Sequence, residues 1–294
     1  MVTNRGLNDK FYPRIFTSLP KKPCLALYKM QEIKQFLKSK GLSNKTIKTY
    51  TAILTDVFDK MGKDFTEEQV EYYLTFKNIS PRTYNLYRNV INFYTTKYLG
   101  YSLTFSKAKV ANSLPTYVTK EEINSIILLT PNLKHKLGLA LIYSSGLRTY
   151  ELVRLKKYDF DFNNLMISVK EGKGKKDRQT ILKPSLVNQV MKYLKYLKND
   201  NPYFFQTYRG HISERSFQEV LSRGIKKAGI QKKITLHDLR HSFAINCLDK
   251  GIDIEDLRKM LGHSSLKTTQ IYLQCKQTNL KEIALKLERN ISQY

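Results

Sequence analysis

Acidic residues are scarce in this sequence. Against 51 lysines and arginines there are 25 aspartates and glutamates, which leaves a formal net charge of +26 on 294 residues. Apolar residues still make up 41% of the chain, so the excess charge belongs to a folded protein and not to a disordered basic tail. Such a charge needs a polyanionic partner. Nucleic acid is the first candidate and an anionic membrane surface the second.

Long apolar runs, a secretory leader and a cysteine framework are also missing. No run of about 18 apolar residues is present, which argues against a membrane-spanning helix. Residues 1–16 lack the apolar core of a signal peptide. Cys24, Cys247 and Cys275 are too few and too scattered for a disulfide framework or a zinc ribbon. We therefore expect a cytoplasmic protein that does not associate with a membrane.

The spacing of apolar residues divides the chain into four parts. Residues 1–26 are basic, contain prolines and show no sustained period, so we expect an N-terminal extension. Residues 27–106 have helical spacing and predict an all-α bundle of about four helices. Residues 107–117 lose that spacing and contain a proline, which predicts an interdomain linker.

The remaining part, residues 118–294, contains the clearest β signal. It opens with a capping box at Thr119. The runs "LMISVK" and "QTILK" predict two strands joined by the glycine-rich, cationic stretch "EGKGKKDR", and the pattern from Ser185 onward is helical again. The predicted fold is therefore mostly α: a small all-α N-terminal bundle plus a mixed α+β domain with a small antiparallel sheet. A helix over residues 279–294 ends the chain.

Two predicted helices of the bundle begin with similar phrases, "SNKT" at 43–46 and "SPRT" at 80–83. Each offers a serine N-cap, and the second adds proline at the first helical position. Backbone N–H groups at helix N-termini favour phosphates, so nearby basic residues are candidates for DNA contact. Helix capping with solvated basic side chains explains the same pattern equally well for any one residue. The candidates are Lys45, Lys48, Arg82 and Arg88.

The stretch "TLHDLRHSFAINCL" places His237, Arg240 and His241 within about one turn of a predicted helix. On a helical projection Arg240 falls on the apolar face. Because desolvating an unpaired charge is costly, this arginine needs an anionic partner. That partner is an internal carboxylate, such as Asp238 or Glu151, or a phosphate.

A metal ion is the rival explanation for His237 and His241, which lie four residues apart. The glutamate of an HExxH zinc motif is absent, and Arg240 would place a cation beside the ion. We therefore predict that the site holds no metal.

Further side chains suited to phosphate occur at wide spacing. Arg148 follows "YSSG" at a predicted corner between helices, with Glu151 placed to orient it. Lys173 lies in the glycine-flanked hairpin turn. His263 follows a glycine that is predicted to end a helix, and Tyr272 is predicted to lie on the next helix. Each has an ordinary structural explanation when taken alone.

Taken in order, "SGLRTYEL", "KEGKGKKDR", "HDLRHSFA" and "LGHSSLKTTQIY" resemble the motifs of the tyrosine site-specific recombinases, the integrase group. Within that group the chain is most similar to the compact Xer-type enzymes. The resemblance runs from about residue 31 to the C-terminus. It implies an enzyme that cuts and rejoins duplex DNA through a 3′-phosphotyrosyl intermediate and needs neither ATP nor another cofactor.

The resemblance also implies residue roles. Tyr272 would be the nucleophile and His237 the acceptor of its proton. Arg148 and Arg240 would clamp the nonbridging oxygens of the scissile phosphate, and Lys173 would protonate the leaving 5′-oxygen. Arginine forks match the oxygens on which phosphoryl transfer spreads its charge. A phenol with a pKa of about 10 needs a base and a cationic site to become a nucleophile.

His263 is the sixth implied catalytic residue and would donate a further hydrogen bond to the phosphate. His241 and Glu151 would lie in a second layer that orients the catalytic side chains. Lys175 and Lys176, beside the predicted catalytic lysine, would contact DNA.

The resemblance implies a partner and an assembly as well. The partner is double-stranded DNA with an inverted-repeat site, bound by a homotetramer on two such sites. In that assembly the helix over residues 279–294 docks into a neighbouring subunit, although its apolar spacing also fits folding back onto its own domain.

Several functions stay open at this point. Chromosome or plasmid dimer resolution and integration or excision of a mobile element fit the same motifs. A non-catalytic, sequence-specific DNA-binding protein could keep the fold without the chemistry. A type IB topoisomerase is a further alternative, because its chemistry is related to that of the tyrosine recombinases. A general RNA-binding protein would account for the charge but not for the ordered motifs.

Overall fold

The computed structural model describes residues 23–62, 65–111, 115–170, 177–198, 200–208 and 210–275. The chain separates into two compact units, residues 1–112 and 113–294. The predicted linker spans the point of division. The resemblance implies that residues 27–106 form a core DNA-binding domain and residues 118–294 the catalytic domain, and both roles stay predictions.

The N-terminal unit contains four α-helices and a π-helical turn in its described part. The first helix begins at Pro23, inside the stretch predicted as an extension, because proline suits the first turn of a helix. The rest of the predicted extension, residues 1–22, lies outside the described residues. The elements are α1 (Pro23–Ser39), α2 (Asn44–Met61), α3 (Glu67–Phe76), α4 (Pro81–Tyr94) and the π-helical turn Thr95–Leu99.

Local sequence sets the starts of α2 and α4, as predicted. The Ser43 hydroxyl accepts a hydrogen bond from the Thr46 backbone N–H at 3.2 Å, and Ser80 does the same for Thr83 at 3.3 Å. Apolar residues on the inner faces of the helices form the core of this unit, with Val57 and other side chains fully buried. Burial of these faces supplies most of the stability of such short helices.

The described part of the C-terminal unit contains eight α-helices, α5 to α12, two 3-10 turns at Lys157–Asp159 and Leu273–Cys275, and two small antiparallel sheets. The helices are α5 (Lys120–Leu128), α6 (Leu133–Ser145), α7 (Thr149–Arg154), α8 (Pro184–Leu194), α9 (Glu214–Lys227), α10 (Leu236–Asp249), α11 (Ile254–Leu261) and α12 (Leu266–Gln270). The strands are β1 (Phe160–Asp161), β2 (Met166–Val169), β3 (Arg178–Ile181), β4 (Gln206–Thr207) and β5 (Gly210–His211).

The predicted hairpin is confirmed as the pair β2 and β3, in which Met166 lies opposite Ile181 and Val169 opposite Arg178. Strand β1 extends this sheet on the other side of β2, and β4 pairs with β5 in a second sheet. Neither β1 nor β4–β5 was predicted, since strands of two residues give no periodic signal. The mostly α fold with a small antiparallel sheet is confirmed.

Helix α6 forms the centre of this unit. After a basic first turn, α6 is mostly apolar and buried from Leu137 onward, as expected of a helix enclosed by others, and it packs against α10. On another side a Cβ at Gly138 would lie 2.1 Å from the Phe217 ring, so only glycine allows α9 to approach this closely. The C-terminal end of α6 and the N-terminal half of α10 are thereby held at fixed positions, and the candidate site described below lies beside them. Over the described residues, no helix is both long and apolar enough to cross a membrane.

Candidate active site

Arg148 and Arg240 reach the site from two different helices. Arg148 is the N-cap of α7, just after Gly146 ends α6 in the left-handed conformation with φ of +63°. A Cβ on Gly146 would lie 2.3 Å from the Phe243 ring of α10. This close approach lets Nη1 of Arg240 donate to the Gly146 carbonyl at 2.7 Å. Arg240 is 1% exposed, which confirms its predicted place on the inner face of α10.

Glu151 is a buried carboxylate that lies among three arginines. It accepts a hydrogen bond from the Arg148 backbone N–H at 2.8 Å and one from Arg148 Nη1 at 3.0 Å. Arg178 Nη2 donates to its Oε2 at 2.6 Å, and Arg240 Nη1 lies 3.7 Å from the same oxygen. Of the carboxylates considered from sequence, Glu151 is therefore the one near Arg240. Asp238 instead caps α10 through the Thr235 backbone N–H.

The end of α11 supplies further acceptors. Three consecutive backbone carbonyls there each accept a hydrogen bond from one of the three guanidinium groups. Carbonyls at a helix C-terminus lack intrahelical partners and carry partial negative charge, so they suit cations. The pairs are Arg178 with the carbonyl of Met260, Arg240 with that of Leu261 at 2.6 Å, and Arg148 with that of Gly262 at 3.2 Å.

His263 follows this helix end and touches Arg240. Its Nε2 lies 3.1 Å from Arg240 Nη2, and its Nδ1 lies 3.0 Å from Thr269 Oγ1. Arginine has only donors, so Nε2 is the acceptor and the proton sits on Nδ1, which donates to Thr269. Burial, with the neighbouring arginines, lowers the pKa of His263 to about 3. The predicted phosphate donor is thus a neutral acceptor in this structure.

Tyr272 lies directly after α12 and is 2% exposed. It was predicted to lie on a helix, but α12 ends at Gln270 and the tyrosine occupies the turn that follows. Its hydroxyl is hydrogen-bonded to Nδ1 of His241 at 2.9 Å. Burial raises the pKa of Tyr272, although Arg240 and Arg148 act to lower it. The phenol is therefore protonated at neutral pH.

The two histidines of α10 exchange the positions expected of them. His237, the expected proton acceptor, is exposed, and its ring centroid lies 4.2 Å from that of His241. His241, expected behind the site, makes the hydrogen bond to the tyrosine. Desolvation, together with His237, lowers the pKa of His241 to about 4; desolvation and Arg240 lower that of His237. Both rings are neutral near pH 7 and able to accept a proton.

Arg178 was not singled out from the sequence. Its side chain is 7% exposed, and desolvation lowers its pKa against the opposing effect of Glu151. The available signal was strand alternation, since Arg178 lies on the same face of β3 as the buried Thr180. An arginine on the buried face of a strand needs a carboxylate or carbonyls nearby.

Three predicted lysines, Lys173, Lys175 and Lys176, lie outside the described residues, and so does the predicted C-terminal helix over residues 279–294. Their roles stay predictions.

The predicted DNA-contact residues of the N-terminal unit differ in exposure. Lys45, Lys48 and Arg82 are exposed near the starts of α2 and α4. Arg88 is half-buried, donates from Nε to the Phe105 carbonyl at 2.6 Å, and stacks its guanidinium over the Phe105 ring. Arg88 therefore has a structural role in addition to the contact predicted for it.

Arginines that converge beside a buried phenol and two imidazoles define a site suited to phosphoryl transfer with a tyrosine nucleophile. Residues 116–279 match the sequence model of the phage integrase family. The chain belongs to this family and is a tyrosine recombinase.

Similar proteins support this placement. Tyrosine recombinase XerA of Pyrococcus horikoshii is 32% identical over 260 residues, which cover 86% of this chain and 91% of the relative. Tyrosine recombinase XerC of Chlamydia caviae is 32% identical over 181 residues, covering 58% of this chain and 57% of the relative.

Solved structures show the same fold. The crystal structure of XerA recombinase matches with a TM-score of 0.53 at 28% identity, covering 88% of this chain and 98% of that one. XerH site-specific recombinase, in a post-cleavage complex with its palindromic difH substrate, matches with a TM-score of 0.70 at 23% identity. The match covers 89% of this chain and 84% of that one.

Proposed function

We propose that this protein is a site-specific recombinase of the Xer type, which cuts and rejoins duplex DNA through a 3′-phosphotyrosyl intermediate. The observation that carries the proposal is the convergence of Arg148, Arg240 and His263 at the end of α11, in the unit where His241 holds the Tyr272 hydroxyl. The similarity to Xer recombinases over most of the chain supports it.

The scissile phosphate would bind to Arg148 and Arg240. The Nε atoms of Arg240 and Arg178 are both buried without a hydrogen-bond partner in the described part of the chain, and we assign the one on Arg240 to a phosphate oxygen because Arg240 also contacts His263. The cluster combines the positive charges of Arg148, Arg178 and Arg240 with the single negative charge of Glu151. A phosphate would meet this excess positive charge in a poorly hydrated site, where electrostatic stabilisation of a transition state is strong.

In the cleavage step the Tyr272 oxygen attacks phosphorus and the bond from phosphorus to the 5′-oxygen breaks. The phenol proton passes to a neutral imidazole, and the leaving 5′-oxygen takes a proton, for which Lys173 is the proposed donor. Attack by another 5′-hydroxyl on the phosphotyrosine reverses the step and rejoins the DNA. The phosphate bond energy is kept throughout, so the cycle needs no ATP.

We assign the two histidines of α10 to different stages. His241 holds the phenol while it is buried, because it makes the hydrogen bond there. His237, which is exposed on the first turn of α10, accepts the proton once Tyr272 reaches the phosphate. Tyr272 must leave its buried position to attack. His263 must release Arg240 and take a proton on Nε2, by protonation or by a change of tautomer, before it donates to the phosphate. DNA binding is the proposed trigger for both changes.

The proposed substrate is duplex DNA with an inverted-repeat site, bound by a tetramer that exchanges the C-terminal helix over residues 279–294. Exposed Lys45, Lys48 and Arg82 would supply phosphate contacts from the N-terminal unit. The proposed location is the cytoplasm. Dimer resolution is the leading role because the relatives are mainly Xer enzymes, with integration of a mobile element as the alternative.

The test begins with footprinting of the protein on fragments of its source genome to find the bound site. A plasmid that carries two copies of that site in the same orientation should then be converted into two smaller circles. When the two copies have opposite orientation, the DNA between them should be inverted. Binding without recombined products and without a covalent adduct would favour a non-catalytic DNA-binding protein. Relaxation of supercoils on plasmids that lack the site would indicate a topoisomerase instead.

A further inference from the structure

We propose that Arg178 is a positioning residue for DNA cleavage, which keeps the buried Glu151 carboxylate from pairing directly with Arg240. The inference rests on the proposed function and concerns a residue outside the recognised motif roles. The hydrogen bonds that the described residues give Arg178 go to Glu151 and the Met260 carbonyl, and its unpaired Nε faces Gly262, so we take Arg178 to act through its neighbours.

The contacts of Arg178 join three elements of the C-terminal unit. From β3, Nη2 donates to Glu151 on α7 at 2.6 Å, and Nη1 donates to the Met260 carbonyl at the end of α11. Glu151 in turn holds Arg148, and the two carbonyls after Met260 accept hydrogen bonds from the proposed phosphate-binding arginines. One guanidinium group therefore fixes both the carboxylate and the helix end that those arginines use.

The space around Arg178 shows that this placement is built into the fold. A Cβ at Gly262 would lie 2.4 Å from Arg178 Cδ and 2.8 Å from its Nε. Gly262 also has φ of +62°, which disfavours any other residue. The glycine at the end of α11 thus leaves room for the Arg178 side chain directly beneath the carbonyl that Arg148 uses.

Charge makes the effect on Arg240 specific. Oε2 of Glu151 is shared: Arg178 is hydrogen-bonded to it at 2.6 Å, while Arg240 stays at 3.7 Å. Without Arg178, this oxygen would keep the Arg148 backbone N–H as a donor at 2.8 Å but would lose its nearest cation, and its charge would draw Arg240 from 3.7 Å into hydrogen-bonding distance. A guanidinium paired in that way is partly neutralised and turned from the phosphate, so the transition state would lose its stabilisation.

The experiment measures single-turnover cleavage of a nicked suicide duplex, from which the released 5′ fragment diffuses away. For Arg178→Gln we expect a cleavage rate about 100-fold below wild type, the usual effect of misplacing a catalytic group by about an ångström. DNA affinity should stay within about threefold, since Arg178 is internal. The matched control is Arg215→Gln, because Arg215 is exposed and forms its ion pair with exposed Glu219, the one partner it has among the described residues.

A second variant separates positioning from a merely structural role. If the Glu151 charge captures Arg240, the double variant Arg178→Gln/Glu151→Gln should cleave at least about tenfold faster than Arg178→Gln alone. A double variant that is no faster, or an Arg178→Gln rate equal to that of Arg215→Gln, would overturn the inference. Circular dichroism and urea unfolding establish that each variant is folded.

Should Arg178→Gln not fold, Arg178→Lys decides the question. Lysine keeps a cation beside Glu151 but cannot bond the carboxylate and the Met260 carbonyl with one planar group, so we expect about a tenfold loss of rate. Cleavage at the wild-type rate would overturn the inference. Absence of any adduct with the wild-type protein on its footprinted site would instead count against the proposed function.

Discussion

The hydroxyl of Tyr272 lies 2.9 Å from Nδ1 of His241, and the tyrosine side chain is packed in an apolar cluster with Phe243 and Leu257. The proposed nucleophile is thus both protonated and shielded. Because a buried phenol cannot reach a DNA phosphate, its release is part of the proposed reaction.

Replacing His241 should release the tyrosine. In His241→Ala the phenol loses its hydrogen-bond partner, so nitration of Tyr272 by tetranitromethane, mapped by mass spectrometry, should become faster. His237→Ala serves as the comparison: we expect unchanged nitration but cleavage slower by about 100-fold or more, the usual contribution of a general base. If His241→Ala instead gives the greater cleavage defect, His241 is the proton acceptor.

The free energy of unfolding should fall as pH is lowered. The pKa values of His241 and His263 are lowered to about 4 and about 3, against about 6.5 for an unfolded histidine. Between about pH 6.5 and about pH 4 the unfolded chain binds protons that the folded chain does not, so acid favours unfolding. Each histidine contributes up to about 1.4 kcal/mol per pH unit. Urea unfolding at several pH values gives the free energy of unfolding as a function of pH. This free energy should depend less steeply on pH for His263→Asn than for wild type, and equal dependence would contradict the low pKa.

Gly262 should tolerate alanine less well than Gly229 does. Both have positive φ, but a Cβ at Gly229 meets nothing within 4 Å, whereas one at Gly262 meets the Arg178 side chain at 2.4 Å. We expect Gly229→Ala to lower the free energy of unfolding by about 1 kcal/mol through backbone strain, and Gly262→Ala to lower it by at least about 1 kcal/mol more. The difference in urea midpoints measures this. Equal losses would mean that Arg178 moves aside without cost.

DNA binding should depend steeply on salt, because it replaces counterions on the phosphates. If Lys45, Lys48 and Arg82 contact phosphates, each change to glutamine should reduce the slope of log K against log salt by about 1. Fluorescence anisotropy of a labelled duplex at several salt concentrations gives the slopes, with Arg215→Gln as the charge-matched control. A variant whose slope equals that of the control carries no phosphate contact.

Much of the fold could be predicted because its signals are local. The helix starts after Ser43, Ser80 and Thr119 were predicted because these side chains can accept a backbone N–H as N-caps. The structure confirms all three. Gly262 ends α11 in the left-handed conformation, as predicted, and Gly146 ends α6 in the same conformation at the corner predicted before Arg148.

The organisation of the site could not be predicted in the same way. Arg178, Arg240 and Arg148 meet at backbone carbonyls of α11, and a backbone carbonyl carries no signal of residue type. The hydrogen bond between His241 and Tyr272 joins residues 31 positions apart and depends on where α12 ends. The motifs therefore identify the residues of the site, but the contacts between those residues depend on tertiary packing and could not be read from the sequence.

The most direct test of the central claim is identification of the residue that becomes bonded to DNA. Wild-type protein incubated with the nicked suicide duplex should form a covalent adduct that resists denaturation, and peptide mass spectrometry should locate a 3′-phosphate ester on Tyr272. Tyr272→Phe should form no adduct while it binds the duplex with unchanged affinity. An adduct in Tyr272→Phe, or a phosphate ester on any other residue, would contradict the account.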